Sequence, residues 1–159
     1  MALRPDRNIT QEDISFFNND TSGTRGGVCV ISTVGSGVAM DSASAVVTYA
    51  TEPSGKVPVG FLMQDMVNYD LTVREPNYHK QEVQAGGKVT LAQVGWLVTD
   101  KLYPGVAPTA GSKAYLSTSG LLTSTLHATG GEAASPRVGT FMSTKDEDGF
   151  IKVLFALPN

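Results

Sequence analysis

The sequence predicts an all-β chain, a compact β-barrel or β-sandwich preceded by an extended N-terminal arm that contains at most one short helix. Three observations carry this prediction. From Val28 onward, short runs rich in Val, Ile, Thr and aromatic residues follow one another closely. Gly, Pro, Asn and Asp clusters separate those runs, as turns in a barrel or sandwich require. No window of adequate length carries an apolar stripe at the helical period.

Residues 1–27 read as the arm and 28–159 as the body. The arm is dominated by polar residues and glycine, including Asn8, Asn18, Asn19, Asp20 and Gly23, so it lacks the apolar content for its own core. Within it, Thr10-Gln11-Glu12-Asp13 resembles a capping box, with Thr10 as N-cap and Asp13 at the third helical position. At most one helical turn is expected there. Ile9, Ile14, Phe16 and Phe17 are the candidate anchors with which the arm grips another surface. The competing reading packs them on the arm's own domain.

In the body, Val28 to Val34 is a β-branched run ending at Gly35-Ser36-Gly37, and Ala45 to Ala50 is a second, closed by Pro53-Ser54-Gly55. Val59 to Met66 follows. Lys88 to Val94 alternates after the turn signal Gly86-Gly87, and Trp96 to Thr99 comes next. Ala114 to Ser117 and Leu121 to Thr123 flank Thr118-Ser119-Gly120, a hairpin signal. Val138 to Met142 and Phe150 to Leu157 flank a second, Asp146-Glu147-Asp148-Gly149. One device occurs twice: Val59-Gly60 and Val138-Gly139 each open an apolar strand containing Met. Glycine there suits a bulge or a close backbone crossing.

With 159 residues the chain fits one domain and needs no covalent staple. Charged residues are 17%, below the roughly one quarter of an average domain, so Ser, Thr, Gly, Asn and Gln carry the polarity. The net charge is −3 and the cations stand singly, which argues against a phosphate-tracking nucleic-acid surface. No apolar stretch reaches the length of a transmembrane helix, and no membrane partner is expected. Met1 to Asp6 lacks the apolar core of a signal peptide, so synthesis in a cytoplasm is expected. Cys29 is the single cysteine, which excludes an intrachain disulfide and a multi-Cys zinc site.

The residues assemble no recognisable chemistry, and neither a catalytic set, a cofactor nor a metal is expected. Gly35-Ser36-Gly37 lacks the third glycine and the helix of a dinucleotide loop, and no Gly-Lys-Ser/Thr sequence exists. Gly35-Ser36-Gly37-Val38-Ala39 is not a nucleophile elbow. Cys29 sits in an apolar run and reads as a buried structural thiol. His79 and His127 lie in polar loops without a partner at ligand spacing. Asp146-Glu147-Asp148-Gly149 runs straight into a strand, so it reads as a solvated hairpin tip rather than a calcium loop. Trp96, inside Val94-Gly95-Trp96-Leu97-Val98, is expected in the core. Tyr69, Tyr78 and Tyr103 are the tyrosines expected to be exposed.

From Val57 to the C-terminus the order of motifs resembles tailed-bacteriophage capsid decoration (cement) proteins. Val59-Gly60-Phe61-Leu62 opens the domain. Gly86-Gly87-Lys88-Val89-Thr90-Leu91 precedes Gly95-Trp96-Leu97-Val98-Thr99. Gly111 to Ser117 leads into Ser119-Gly120-Leu121-Leu122-Thr123. Arg137 to Met142 leads into Asp148-Gly149-Phe150-Ile151-Lys152-Val153. This resemblance covers about two-thirds of the chain and implies a β-tulip-like barrel. It also implies a non-enzymatic virion protein on the outer capsid surface, bridging major capsid protein subunits, in many cases as a homotrimer. Such a role needs no strong single contact, because many linked sites on one shell supply avidity. The arm would add a strand to the partner. A tail, baseplate or receptor-binding module of a virion is the second reading. An enzyme with a cryptic site at His79 or His127 is the third.

Overall fold

The computed structural model describes residues 3–32, 46–126 and 135–158. Twelve strands run in chain order: β1 (Leu3–Asp13), β2 (Phe17–Asn18), β3 (Val28–Ile31), β4 (Val46–Thr48), β5 (Pro58–Leu62), β6 (Asp65–Val67), β7 (Glu82–Gln84), β8 (Leu91–Thr99), β9 (Lys113–Leu116), β10 (Leu122–Thr123), β11 (Arg137–Phe141) and β12 (Ile151–Ala156). Two short 3-10 turns, Tyr78–Lys80 and Thr118–Gly120, are the helical segments among the described residues. The fold is all-β as expected, and the sheet does not close into a barrel.

The principal sheet runs β10-β9-β11-β12-β8-β5-β3-β4-β2, with β1 added on β8. β8 is its spine. Along one edge it pairs with β1; the other edge pairs with β12 over Val94 to Thr99 and with β5 at Leu91 and Ala92. Thus β8 joins the half built from β9 to β12 to the half built from β2 to β5. The two expected runs flanking Gly95 form this single strand because glycine lets the backbone continue where a side chain could not. Gly95 has φ +142°, and a Cβ there would strike the backbone carbonyl of Asn8 on β1. Ala92 and Leu97 lie an odd number of residues apart yet both face the main core, so strict alternation breaks near Gly95.

That main core lies between the two halves. β12 shows why: Ile151, Val153 and Phe155 are buried while Lys152, Leu154 and Ala156 alternate outward. Phe61 from β5 meets Phe155 with ring centres 4.5 Å apart, tying one half to the other. Each such fully buried ring contributes on the order of 3 kcal/mol. A second cluster, with Cys29, Val59, Leu62 and Leu91, lies on the far side of β3 and β5. The small parallel β6-β7 pair contributes Met66 and Val83 to it. With both faces covered, all five residues of β5 are buried.

The repeated Val-Gly step has the geometric role expected of it. The pairing of β3 with β5 shifts register between Cys29 and Val30, opposite Gly60 and Pro58. The pairing of β11 with β9 shifts between Arg137 and Gly139. A Cβ on Gly60 would press on the Ala92 carbonyl of β8, and one on Gly139 on the Leu154 carbonyl of β12.

In the first 27 residues, the stretch that resembles a capping box is not helical. Residues 10–13 are strand, inside β1, because their backbone groups pair with β8 from Leu91 to Val94. Thr10 therefore caps no helix; its hydroxyl donates to the Val94 carbonyl at 3.2 Å. Further along, Asn18 is fully buried, and its N–H and carbonyl bond to Gly87 and Gly86. Gly26 donates to the Leu62 carbonyl at 2.7 Å, and the Gly27 carbonyl accepts from Leu62 N–H at 2.9 Å. The Asp20 carboxylate accepts from the Thr48 hydroxyl and from Tyr49 N–H. The backbone from Leu3 to Gly27 is thus woven into the body.

Candidate functional site: an apolar and cationic sheet face

The strands β1, β8, β12 and β11 place one row of side chains on the side of the sheet away from the core. The register runs Asn8 opposite Trp96, Trp96 opposite Leu154, Leu154 opposite Thr140, and Thr140 opposite Lys113 on β9. A second row pairs Val98 with Lys152, and a third pairs Val94 with Ala156. Met142, one residue past β11, donates its N–H to the Lys152 carbonyl and falls beside the second row. Beneath these rows Leu97, Val153, Phe155 and Phe141 are buried, so the face rests on a packed core.

The face is unusually apolar for an exposed surface. Leu154 is 45% exposed and Met142 49% exposed. Trp96 is half-buried and lines an open groove of about 770 Å³ together with Asn8, Thr10, Arg137, Thr140 and Leu154. The groove exists because Gly95 and Gly139 leave the floor without side chains, where β1 passes close to Gly95 and β12 passes close to Gly139. Trp96 is therefore a wall of this groove and not a core residue. Its run of apolar neighbours misled the sequence reading, because Leu97 faces the core while Val94, Trp96 and Val98 face outward.

The cations are held by neighbours. Lys152 Nζ sits 3.6 Å from the centre of the Trp96 ring, a cation–π contact. The Arg137 guanidinium donates from Nε to the Gly139 carbonyl at 3.3 Å and from Nη2 to Thr140 Oγ1 at 3.1 Å. Lys113 ends the first row and is exposed. At the β11–β12 turn, Arg4 Nη2 contacts Asp148 at 2.8 Å and Asp146 at 3.2 Å, and the Arg4 guanidinium lies 4.3 Å from the centre of the Phe150 ring. The acidic tip expected to be merely solvated thus clasps the start of β1.

The four candidate anchors do not form one patch. Ile9 packs on the main core and Phe16 on the second cluster. Phe17 is half-buried in β2, with Lys88 Nζ 5.4 Å from its ring centre. Ile14 alone of the four is exposed, at 67%. The apolar side chains that do reach the surface together, Trp96, Leu154 and Met142, were hidden in sequence by their strand context. The signal that could have found them is alternation in β12, where Lys152 marks the outward parity that Leu154 shares.

The other chemistry-bearing residues are placed as follows. Cys29 is buried, and burial, then the charge of Asp20, pushes its thiol up from the usual range. Tyr49 is raised too, first by burial and then by Cys29, and its hydroxyl donates to the Thr24 carbonyl at 2.7 Å. His79 is exposed in the 3-10 turn, its N–H held by the Asn77 side chain. His127 and Gly35-Ser36-Gly37 lie outside the described residues. Among the described residues no three His, Cys, Asp or Glu side chains gather as a metal site. Tyr78 and Tyr103 are exposed as expected, whereas Tyr69 is half-buried with the Arg74 guanidinium 4.1 Å from its ring centre. Compared with known proteins, the chain matches no family model and no characterised protein.

Proposed function

We propose that the chain is a structural, non-enzymatic virion protein that binds the outer surface of a phage capsid and stabilises it by bridging major capsid protein subunits. The observation that carries this reading is the outward row of Trp96 and Leu154, extended by Met142, on a stiff four-stranded support. An apolar face of this kind, rimmed by polar groups, suits a protein surface. The motif order that resembles capsid decoration proteins supports the choice of a capsid as that surface. In this reading the face, rather than Ile9, Phe16 and Phe17, supplies the main apolar contact, because those three are engaged within the chain. Ile14 remains open to a partner. Assembly as a homotrimer belongs to the same reading, since cyclic symmetry lets one patch serve equivalent lattice positions.

The test is co-sedimentation with purified expanded shells. Trp96→Ala combined with Leu154→Ser is expected to lower shell affinity by about tenfold or more, as for loss of a central aromatic anchor. Wild-type binding by that variant would sink the assignment of this face. Immunogold labelling of virions separates a capsid position from a tail or baseplate position, the second reading.

A further inference from the structure

Two cations, Lys113 on β9 and Lys152 on β12, project among the apolar side chains of the β9–β11–β12–β8 face, although the chain as a whole carries a net charge of −3. Among the described residues Lys113 and Lys152 form no ion pair, and the acids nearest the rows, Asp6 and Glu12, lie on β1 at the far edge of the face. Asp146 and Asp148, at the turn joining two of these strands, are engaged by Arg4. Charge is therefore segregated along the face: its β12 and β9 strands present lysines, while its acids stand on β1 at the opposite edge. The spacing has direction too. Lys113 lies at the β9 end of the Trp96–Leu154–Thr140 row, and Lys152 lies one row above, over the indole.

We propose that this face recognises an acidic protein segment with a central apolar side chain, which enters the groove beside Trp96 and Leu154 while its flanking carboxylates meet Lys113 and Lys152. This deepens the capsid-binding reading and rests on it for the identity of the partner. The apolar residue satisfies the groove, and the carboxylates meet two lysines that form no ion pair among the described residues. Nucleic acid fits less well, because a backbone of phosphates would leave Leu154 and Met142 against a charged surface. Complementary charge of this kind sets specificity and association rate more than total affinity.

Trp96 is the chain's single tryptophan, so its fluorescence reports on this face directly. The probes are two capped peptides, Asp-Glu-Leu-Asp-Glu and Lys-Lys-Leu-Lys-Lys. The acidic peptide is expected to shift Trp96 emission saturably and to bind at least about tenfold more tightly than the basic one, the scale of discrimination expected from opposite charge juxtapositions. Binding should weaken with added salt. Lys113→Glu with Lys152→Glu should abolish the preference, with far-ultraviolet circular dichroism confirming an intact fold. Equal responses to both peptides, or an acidic preference that survives the double variant, would overturn the proposal. So would concentration-dependent self-association that the double variant removes, which would assign the face to a second copy of the chain. Shell binding separates the two levels. If Trp96→Ala loses it while the lysine double variant keeps it, the acidic partner is wrong and the docking face stands. If the peptides behave as expected while shells bind neither form, the capsid reading fails and the recognition chemistry stands.

Discussion

Lys152 holds its ammonium 3.6 Å from the centre of the Trp96 indole, on the outward side of two paired strands. The contact orients both side chains at the mouth of the groove. It also gives a charge a fixed place within an apolar patch, which a freely rotating lysine would lack.

Lys152→Met removes that charge but keeps the aliphatic stem over the ring. The variant should retain its fold and lose about 0.5–1 kcal/mol of stability, the usual size of an exposed cation–π contact. Chemical denaturation followed by Trp96 fluorescence measures it, and the native emission maximum should move.

Gly95→Ala should be far more damaging. At φ +142° any side chain is strained, and here the added Cβ also meets the Asn8 carbonyl. A loss above about 2 kcal/mol is expected. Hydrogen exchange should locate the damage in β1 and the adjoining part of β8. A variant as stable as the parent would show that β1 does not cross β8 there.

Arg4→Ala opens the clasp between β1 and the β11–β12 turn. All three partners are at least partly exposed, so global stability should fall by less than about 1 kcal/mol. Amide exchange at the start of β1 should nevertheless accelerate, and salt should mimic the effect in the parent.

Removing residues 1–13 tests the edge that β1 covers. Leu3 and Ile9 leave the core surface, and β8 from Leu91 to Thr99 loses its partner on that side. An uncovered long edge is a template for pairing with other chains. Light scattering should therefore show concentration-dependent aggregation. Removing residues 1–27 should do worse, since it also takes away β2, the buried Asn18 and the Gly26 and Gly27 bonds to Leu62.

Burial raises the Cys29 thiol and the Tyr49 phenol above their ordinary ranges. For both groups the folded state holds its proton more tightly than the unfolded chain does. Their stabilisation is complete below the unfolded values and declines as pH rises beyond about 8.5 for the thiol and about 10 for the phenol. Denaturation midpoints should fall progressively above that range, and Cys29→Ala should flatten the first part of the decline. In the native state near neutral pH, Cys29 should resist a thiol reagent until the chain unfolds.

Much of the fold is legible in the residues. β3, β4, β5, β8, β9, β10, β11 and β12 each contain part of a β-branched or aromatic run bounded by turn residues. Burial on at least one face demands such side chains, and the turns need Gly and Pro. β1 is hidden by the same logic. From Arg4 to Gln11 its side chains are mostly exposed, so no apolar alternation marks it, and Thr10 to Asp13 imitates a helix start. Its strand character comes from the backbone of β8, which is long enough to bind a partner along one edge. The β6-β7 pair escapes notice for a related reason, being a three-residue parallel contact between segments separated by a 14-residue excursion from 68 to 81.

The candidate site divides in the same way. The sequence by itself determined an all-β chain of short runs bounded by turns, a Val-Gly crossing used twice, a single buried thiol and a low, scattered charge. Tertiary structure alone decided that Trp96 and Leu154 stand opposite each other on the open face, with Lys152 over the indole. Parity along one strand is a local property, but which parity meets the core depends on the register shifts between Ile9 and Glu12 of β1 and between Arg137 and Gly139 of β11, and on the register between strands far apart in the chain. A shift of one residue would have buried Trp96 and turned Leu97 to solvent.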